Sequence, residues 1–101
     1  MITVIIERSD RKDKKYQPVI NGKKIPFGAA GYSDYTIHQN VERRNRYIAR
    51  HARMGEDWSN PLTGGFYSRW LTWNLPTLQA SVADMNKRFK HLGYHFVLVN
   101  L

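Results

Sequence analysis

The chain contains no cysteine and no long apolar run. Without cysteine there can be no disulfide, thiolate zinc site or cysteine nucleophile, and the composition suits a reducing compartment. The apolar N-terminal segment is too short for a signal peptide, and no run approaches the length of a membrane span. We therefore expect no membrane association and no secretion through a signal peptide.

The chain also lacks the local signatures of common enzyme classes. Gly28 to Gly31 is too short for a phosphate-binding loop and is not followed by Gly-Lys-Ser/Thr. No serine occupies a nucleophile-elbow pattern. We expect a non-enzymatic protein with no catalytic residue, no cofactor and no bound metal.

One set of residues leaves an enzymatic alternative open. A metal-dependent nuclease needs carboxylates and imidazoles around a cation, with arginines near the scissile phosphate. The chain has these residue types, although their spacing fits no metal site, and histidines and carboxylates more often make local hydrogen bonds. The candidates are Asp34, His38, His51, Glu56 and Asp57.

What the chain has in excess is positive charge. It has 101 residues, with 16 Lys plus Arg against eight Asp plus Glu, for a net charge of +8. The length fits one domain spanning residues 1–101, and an apolar fraction of 42% is enough for a packed core. So basic a domain attracts polyanions such as nucleic acid or an acidic protein surface.

Four arginines form the most informative pattern, with spacings of three, four and three. On an α-helix over residues 41–53 they fall within an arc of about 80°. Val41, Ile48 and Ala52 fall on another side, which predicts an apolar seam toward a core. Guanidinium groups bind carboxylate or phosphate oxygens in pairs. We name Arg43, Arg46, Arg50 and Arg53 the arginine row.

Other residues could extend this surface. Tyr47 lies beside the arginine row and could stack on a base. In the alternative interpretation the outer arginines are simply solvated, while Arg50 and Arg53 pair with Glu56 or Asp57. Five lysines could contribute if a predicted hairpin folds nearby: Lys12, Lys14, Lys15, Lys23 and Lys24.

The rest of the pattern predicts an α+β fold. Strands are expected at residues 1–7 and 94–100, with a hairpin of strands 16–20 and 23–27 around Asn21-Gly22. Helices are expected over 41–53, over 64–73, and from Leu78 to a stop at Gly93. We expect a small antiparallel sheet, with the terminal strands as neighbours and about three helices packed on it.

Several pieces of the middle segment together form a distinctive motif. They are Phe27-Gly28-x-x-Gly31-Tyr32-Ser33-Asp34-Tyr35-Thr36-x-His38, Arg43-Arg44-x-x-Tyr47-x-x-Arg50-His51, Glu56-x-Trp58, Ser68-Arg69-Trp70-x-x-Trp73-Asn74 and Thr77-Leu78-x-x-Ser81. The segment resembles a family of small basic uncharacterised proteins of large double-stranded DNA viruses and some phages. The resemblance implies a viral protein in the virion, or in the host cytoplasm or nucleus.

The expected function is nucleic-acid binding, with DNA as the expected form, in a virion- or genome-associated protein. In one alternative the protein is a minor capsid or cementing protein. Its arginines would then meet acidic capsid surfaces, and rings near Trp58 and Phe66 would fill a pocket on a subunit. The second alternative is the metal-dependent nuclease.

Overall fold

A computed structural model describes residues 1–101 and shows a five-stranded sheet beside a helical segment. The strands are β1 (Ile2–Arg8), β2 (Lys14–Ile20), β3 (Lys23–Lys24), β4 (Phe27–Ala29) and β5 (Tyr94–Leu98). The helices are α1 (Tyr35–His38), α2 (Val41–Arg53), α3 (Gly64–Tyr67) and α4 (Leu78–Arg88). A π-helical segment, Ser68–Thr72, continues α3, and a 3₁₀ turn, Lys90–Leu92, follows α4. The predicted α+β class is confirmed.

The sheet is mixed, which differs from the antiparallel sheet expected from the sequence. Its order is β3-β2-β1-β5. Strand β4 also pairs with β2, at the beginning of β2, whereas β3 pairs with its end. The terminal strands are neighbours as predicted, but β5 runs parallel to β1, with Val4 opposite Phe96. A parallel pair requires a long crossover connection, and the helical middle of the chain supplies it.

The predicted hairpin forms, although its return strand is interrupted. Asn21 and Gly22 both have positive φ, as a two-residue turn requires. The return breaks into β3 and β4 on either side of Ile25-Pro26, because Pro26 has no N–H to donate to a ladder.

The core lies between one sheet face and the helices α3 and α4. Val4 and Ile6 of β1 are fully buried, whereas Ile5 on the other face is 39% exposed. Met85 and Phe89 of the α4 region are buried against this face, as the spacing of their helix predicts. Phe66 and Tyr67 complete a ring-rich core.

Helix α2 has the predicted bounds, but of the three residues predicted for its inward face only Ile48 lies there. Asn40 caps it by accepting a hydrogen bond from the Arg43 N–H at 3.1 Å. None of its residues is fully buried; Val41 is 54% exposed and Ala52 is also exposed. The half-buried positions follow a different i, i+3, i+4, i+7 stripe: Arg44, Tyr47, Ile48 and His51. A polar and aromatic stripe docks this helix because it lies outside the apolar core.

None of the helices combines the length and apolar composition required to cross a bilayer.

Candidate nucleic-acid interface

A column of packed rings, two of them from α2 itself, holds α2 against the rest of the protein. The Tyr47 ring lies parallel to that of Trp73, with centroids 4.1 Å apart, and the His51 ring lies 4.0 Å from Tyr47. His38 extends the column, with its ring 5.3 Å from Trp73. Two rings this close to Tyr47 must cover opposite faces of it, because on one face they would overlap. The proposed stacking of Tyr47 on a base is therefore wrong, since both faces are occupied.

Arg44 anchors the first turns of α2 and is not part of the exposed surface. Its Nε donates to the Asn74 carbonyl at 2.7 Å, and its guanidinium lies 5.7 Å from the Tyr35 ring centroid. Tyr47 contributes the packing described above, and burial raises the pKa of its phenol, which keeps it neutral. These inward contacts fix the rotation of α2, so the arginine row faces outward.

All four members of the arginine row are exposed, and none takes part in an ion pair. The alternative in which Arg50 and Arg53 pair with Glu56 or Asp57 is therefore not observed. Glu56 lies 3.1 Å from His51 Nδ1 in poor hydrogen-bond geometry and accepts from the Trp58 indole N–H at 3.0 Å. Asp57 instead accepts from the Ser59 N–H at 2.9 Å.

The predicted lysine contributors separate into two sets. Lys14 and Lys15 begin β2 at the sheet end nearest α2, where cavities described below connect them to Arg50. Lys24 pairs with Asp10, while Lys12 in the β1–β2 connection and Lys23 in β3 are exposed and line neither cavity. The hairpin thus brings part of the predicted lysine set toward the arginine helix.

A buried ion pair organises that end of the sheet. Lys15 Nζ donates to Asp34 Oδ2 at 2.7 Å, with side chains 15% and 2% exposed. Gly28 lies beside the Lys15 stem at φ +77°, a backbone conformation that favours glycine. Asp34 also caps α1 by accepting from the Thr36 N–H at 2.9 Å. Asp34 is therefore a structural residue whose oxygens are already bonded.

The metal-site candidates do not converge. Asp34 bonds Lys15, and His38 Nδ1 accepts from the Asn40 N–H at 2.9 Å at the start of α2. No group of three or more histidine, aspartate or glutamate side chains is close enough to hold a metal ion.

The ring-rich region suggested for capsid docking is largely internal. Phe66 is fully buried in the core, so it is not available to fill a pocket on another protein. The Trp58 ring lies 5.5 Å from the Arg69 guanidinium, which also lies 4.3 Å from Trp70. Burial and the neighbouring cations lower the pKa of Arg69 to about 10, which leaves it charged at neutral pH.

Two open cavities adjoin each other at the end of the sheet, and the smaller one reaches α2. The larger, about 630 Å³, is lined by Arg8, Lys14 and Tyr16 among others. The smaller, about 290 Å³, reaches Arg50, Ser68 and Trp73. Both are also lined by Lys15, Tyr32 and Ser33. We name the two cavities together the trough.

Sequence reasoning missed Arg8, Tyr32 and Ser33 as surface residues. Arg8 lies opposite Tyr16 in the antiparallel pair of β1 and β2. Pairing of these two strands could therefore have placed Arg8 close to Lys14 and Lys15. The position of Tyr32 depends on the path of the loop after β4, which local spacing along the chain does not predict.

Comparison with known proteins adds a partial likeness. Residues 4–51 match a family of unknown function, DUF5754. The match covers most of β1, strands β2 to β4, the loop with Tyr32, and α2 up to His51. The chain matches no curated protein and no solved structure.

Proposed function

We propose that the protein is a non-enzymatic nucleic-acid-binding module that contacts phosphates through the arginine row. The observation that carries the proposal is the exposure of all four guanidinium groups on one helix face without a carboxylate partner. Arginine forks suit phosphate oxygens, and a net charge of +8 favours encounter with a polyanion.

The attachment of α2 supports the same function. Because the Tyr47 column and the Arg44 anchor fix the helix, the arginine row is presented as an ordered surface. Phosphate contacts of this kind position a protein on its nucleic acid without reading sequence. The resemblance to proteins of double-stranded DNA viruses makes the viral genome the expected partner, in the virion or in the host cell.

The test is charge reversal within the arginine row. We expect Arg46→Glu with Arg53→Glu to abolish a DNA gel shift, because two anions replace two cations that contact phosphate. Both positions lie outside the trough. The matched control is Lys87→Glu with Lys90→Glu, which makes the same charge change at exposed residues of α4 and the turn after it. Circular dichroism checks that each variant is folded.

The salt dependence gives a quantitative form of the same test. Removing one cation that binds a phosphate lowers the slope of log affinity against log salt by about one. We therefore expect Arg46→Gln with Arg53→Gln to lower the slope by about two. Lys87→Gln with Lys90→Gln should leave the slope unchanged. Equal effects of both pairs would show that net charge, not the arginine row, drives binding.

A further inference from the structure

The trough continues the arginine row across the molecule. Arg50 belongs to the row and also lines the smaller cavity. The cavities share Lys15, Tyr32 and Ser33, and the larger one ends at Arg8 and Lys14. A chain-like ligand on the arginine row could therefore follow one continuous path from α2 to the end of the sheet.

The lining of this path is cationic. Arg8, Lys14 and Arg50 take part in no ion pair. Asp34, the only acidic residue that lines either cavity, is neutralised by Lys15 at 2.7 Å. The Ser33 hydroxyl adds a hydrogen-bonding group where the cavities meet. Such a lining suits a run of phosphates better than a single cation.

An exposed ring lies along the same path. Tyr32 is 74% exposed, lines both cavities and stacks on no other ring. It differs in this respect from Tyr47, whose faces are covered by His51 and Trp73. A free aromatic face beside cations is the arrangement on which unpaired bases stack while their phosphates are held.

We propose that the trough binds single-stranded nucleic acid, with a base stacked on Tyr32 and phosphates along Arg8, Lys14 and Arg50. This inference rests on the proposed function and specifies the form of the ligand. Both base faces are occupied inside a duplex, so paired bases cannot stack on Tyr32. The smaller cavity, at about 290 Å³, has the scale of a site for one small ligand unit and is too small for a double helix.

The experiment compares the affinity of a labelled single strand with that of the same strand annealed to its complement. We expect the wild-type protein to prefer the single strand. We expect Tyr32→Ala to weaken single-strand binding about tenfold, the usual effect of removing one base–aromatic stack, with little change for the duplex. Tyr32→Phe should retain the wild-type preference, because the stacking face remains.

Leu92→Ala serves as a matched control, since it truncates an exposed apolar side chain outside the trough. Deoxyribose and ribose versions of the strand show whether DNA or RNA is the better ligand. Preference for the duplex, or unchanged single-strand binding by Tyr32→Ala, overturns the trough proposal.

These outcomes separate the two proposals. If charge reversal of Arg46 and Arg53 abolishes binding while Tyr32→Ala has no effect, the arginine row stands and the trough assignment fails. If neither nucleic-acid form binds the wild-type protein, the proposed function itself fails.

Discussion

His38 connects a titratable side chain to the start of the arginine helix. Its Nδ1 accepts a hydrogen bond from the N–H of Asn40, the residue that caps α2. Burial, followed by the positive charge of Arg43, lowers the pKa of His38 below its ordinary value of 6.5. Because Nδ1 is the acceptor, protonation of His38 removes this bond. The ionisation of one residue therefore acts on the cap of α2.

The sign of the resulting pH effect follows from proton binding. As pH falls below about 6.5, the unfolded chain binds a proton at His38 more readily than the folded protein does. The free energy of unfolding should therefore decrease from pH 6.5 down to the lowered pKa of His38 in the folded state. Aspartates with a lowered pKa, such as Asp84, affect the free energy of unfolding only near and below their ordinary pKa of 3.8.

We expect His38→Phe to flatten this part of the stability profile, because it keeps a ring beside Trp73 but cannot titrate. Urea unfolding between about pH 7.5 and pH 5 measures the effect. His91→Gln, which changes an exposed histidine, should leave the profile unaltered. An unchanged slope in His38→Phe would show that His38 does not contribute to the pH dependence.

At the scale of elements, α2 is held by rings and hydrogen bonds in place of an apolar core. Its attachment depends on the Tyr47 ring stacked on Trp73 and on the bond from Arg44 to Asn74. Offset-stacked rings contribute about 0.5–1.5 kcal/mol per pair beyond the burial of their area. Helix α2 should therefore open more easily than α4, which packs directly on the sheet.

We expect Tyr47→Leu to destabilise the attachment of α2 by about 0.5–1.5 kcal/mol, because it removes the stacked pair with Trp73, which joins α2 to another part of the chain. Tyr47→Phe should preserve most of the attachment, since the ring remains. Amide hydrogen exchange measures the effect, and protection should fall in α2 much more than in α4. An equal fall in protection in both helices would mean that α2 opens only when the whole protein unfolds.

At the scale of the whole molecule, the outer edge of β5 is covered at its middle by one side chain. The Ile2 N–H donates to the Gly93 carbonyl, and the Ile6 carbonyl accepts from the Val99 N–H. Backbone groups of alternate residues in β5 therefore face β1, and the N–H and C=O of Phe96 point away from it. The Asn86 amide binds both, accepting from the N–H at 2.7 Å and donating to the carbonyl at 2.9 Å. This contact joins α4 to β5 and occupies the two outward backbone groups at the middle of the β5 edge.

We expect Asn86→Ala to lower the free energy of unfolding by about 1–3 kcal/mol, because it leaves two part-buried backbone groups without partners. The opened edge should also promote self-association, which sedimentation velocity measures. Lys87→Ala, at the next and exposed position of α4, should change neither property. A stable, monomeric Asn86→Ala variant would show that the edge needs no such closure.

Local patterns in the sequence predicted much of this protein. The bounds of α2, its Asn40 cap, the Asn21-Gly22 turn and the apolar face of α4 all depend on residues within a few positions of one another. The grouping of the arginine row on one face could be predicted for the same reason, since spacing along a helix fixes which side chains share a face.

Contacts between distant parts of the chain decided the rest. The inward face of α2 depends on Trp73, and the trough depends on the pairing of Lys15 with Asp34. The direction of β5 depends on where the long connection returns to the sheet. Local spacing carries no information about these partners, because only the packed fold brings them within reach of one another. The sequence by itself therefore determined the helix and its charges, and the tertiary structure decided which surface beside them is open to a ligand.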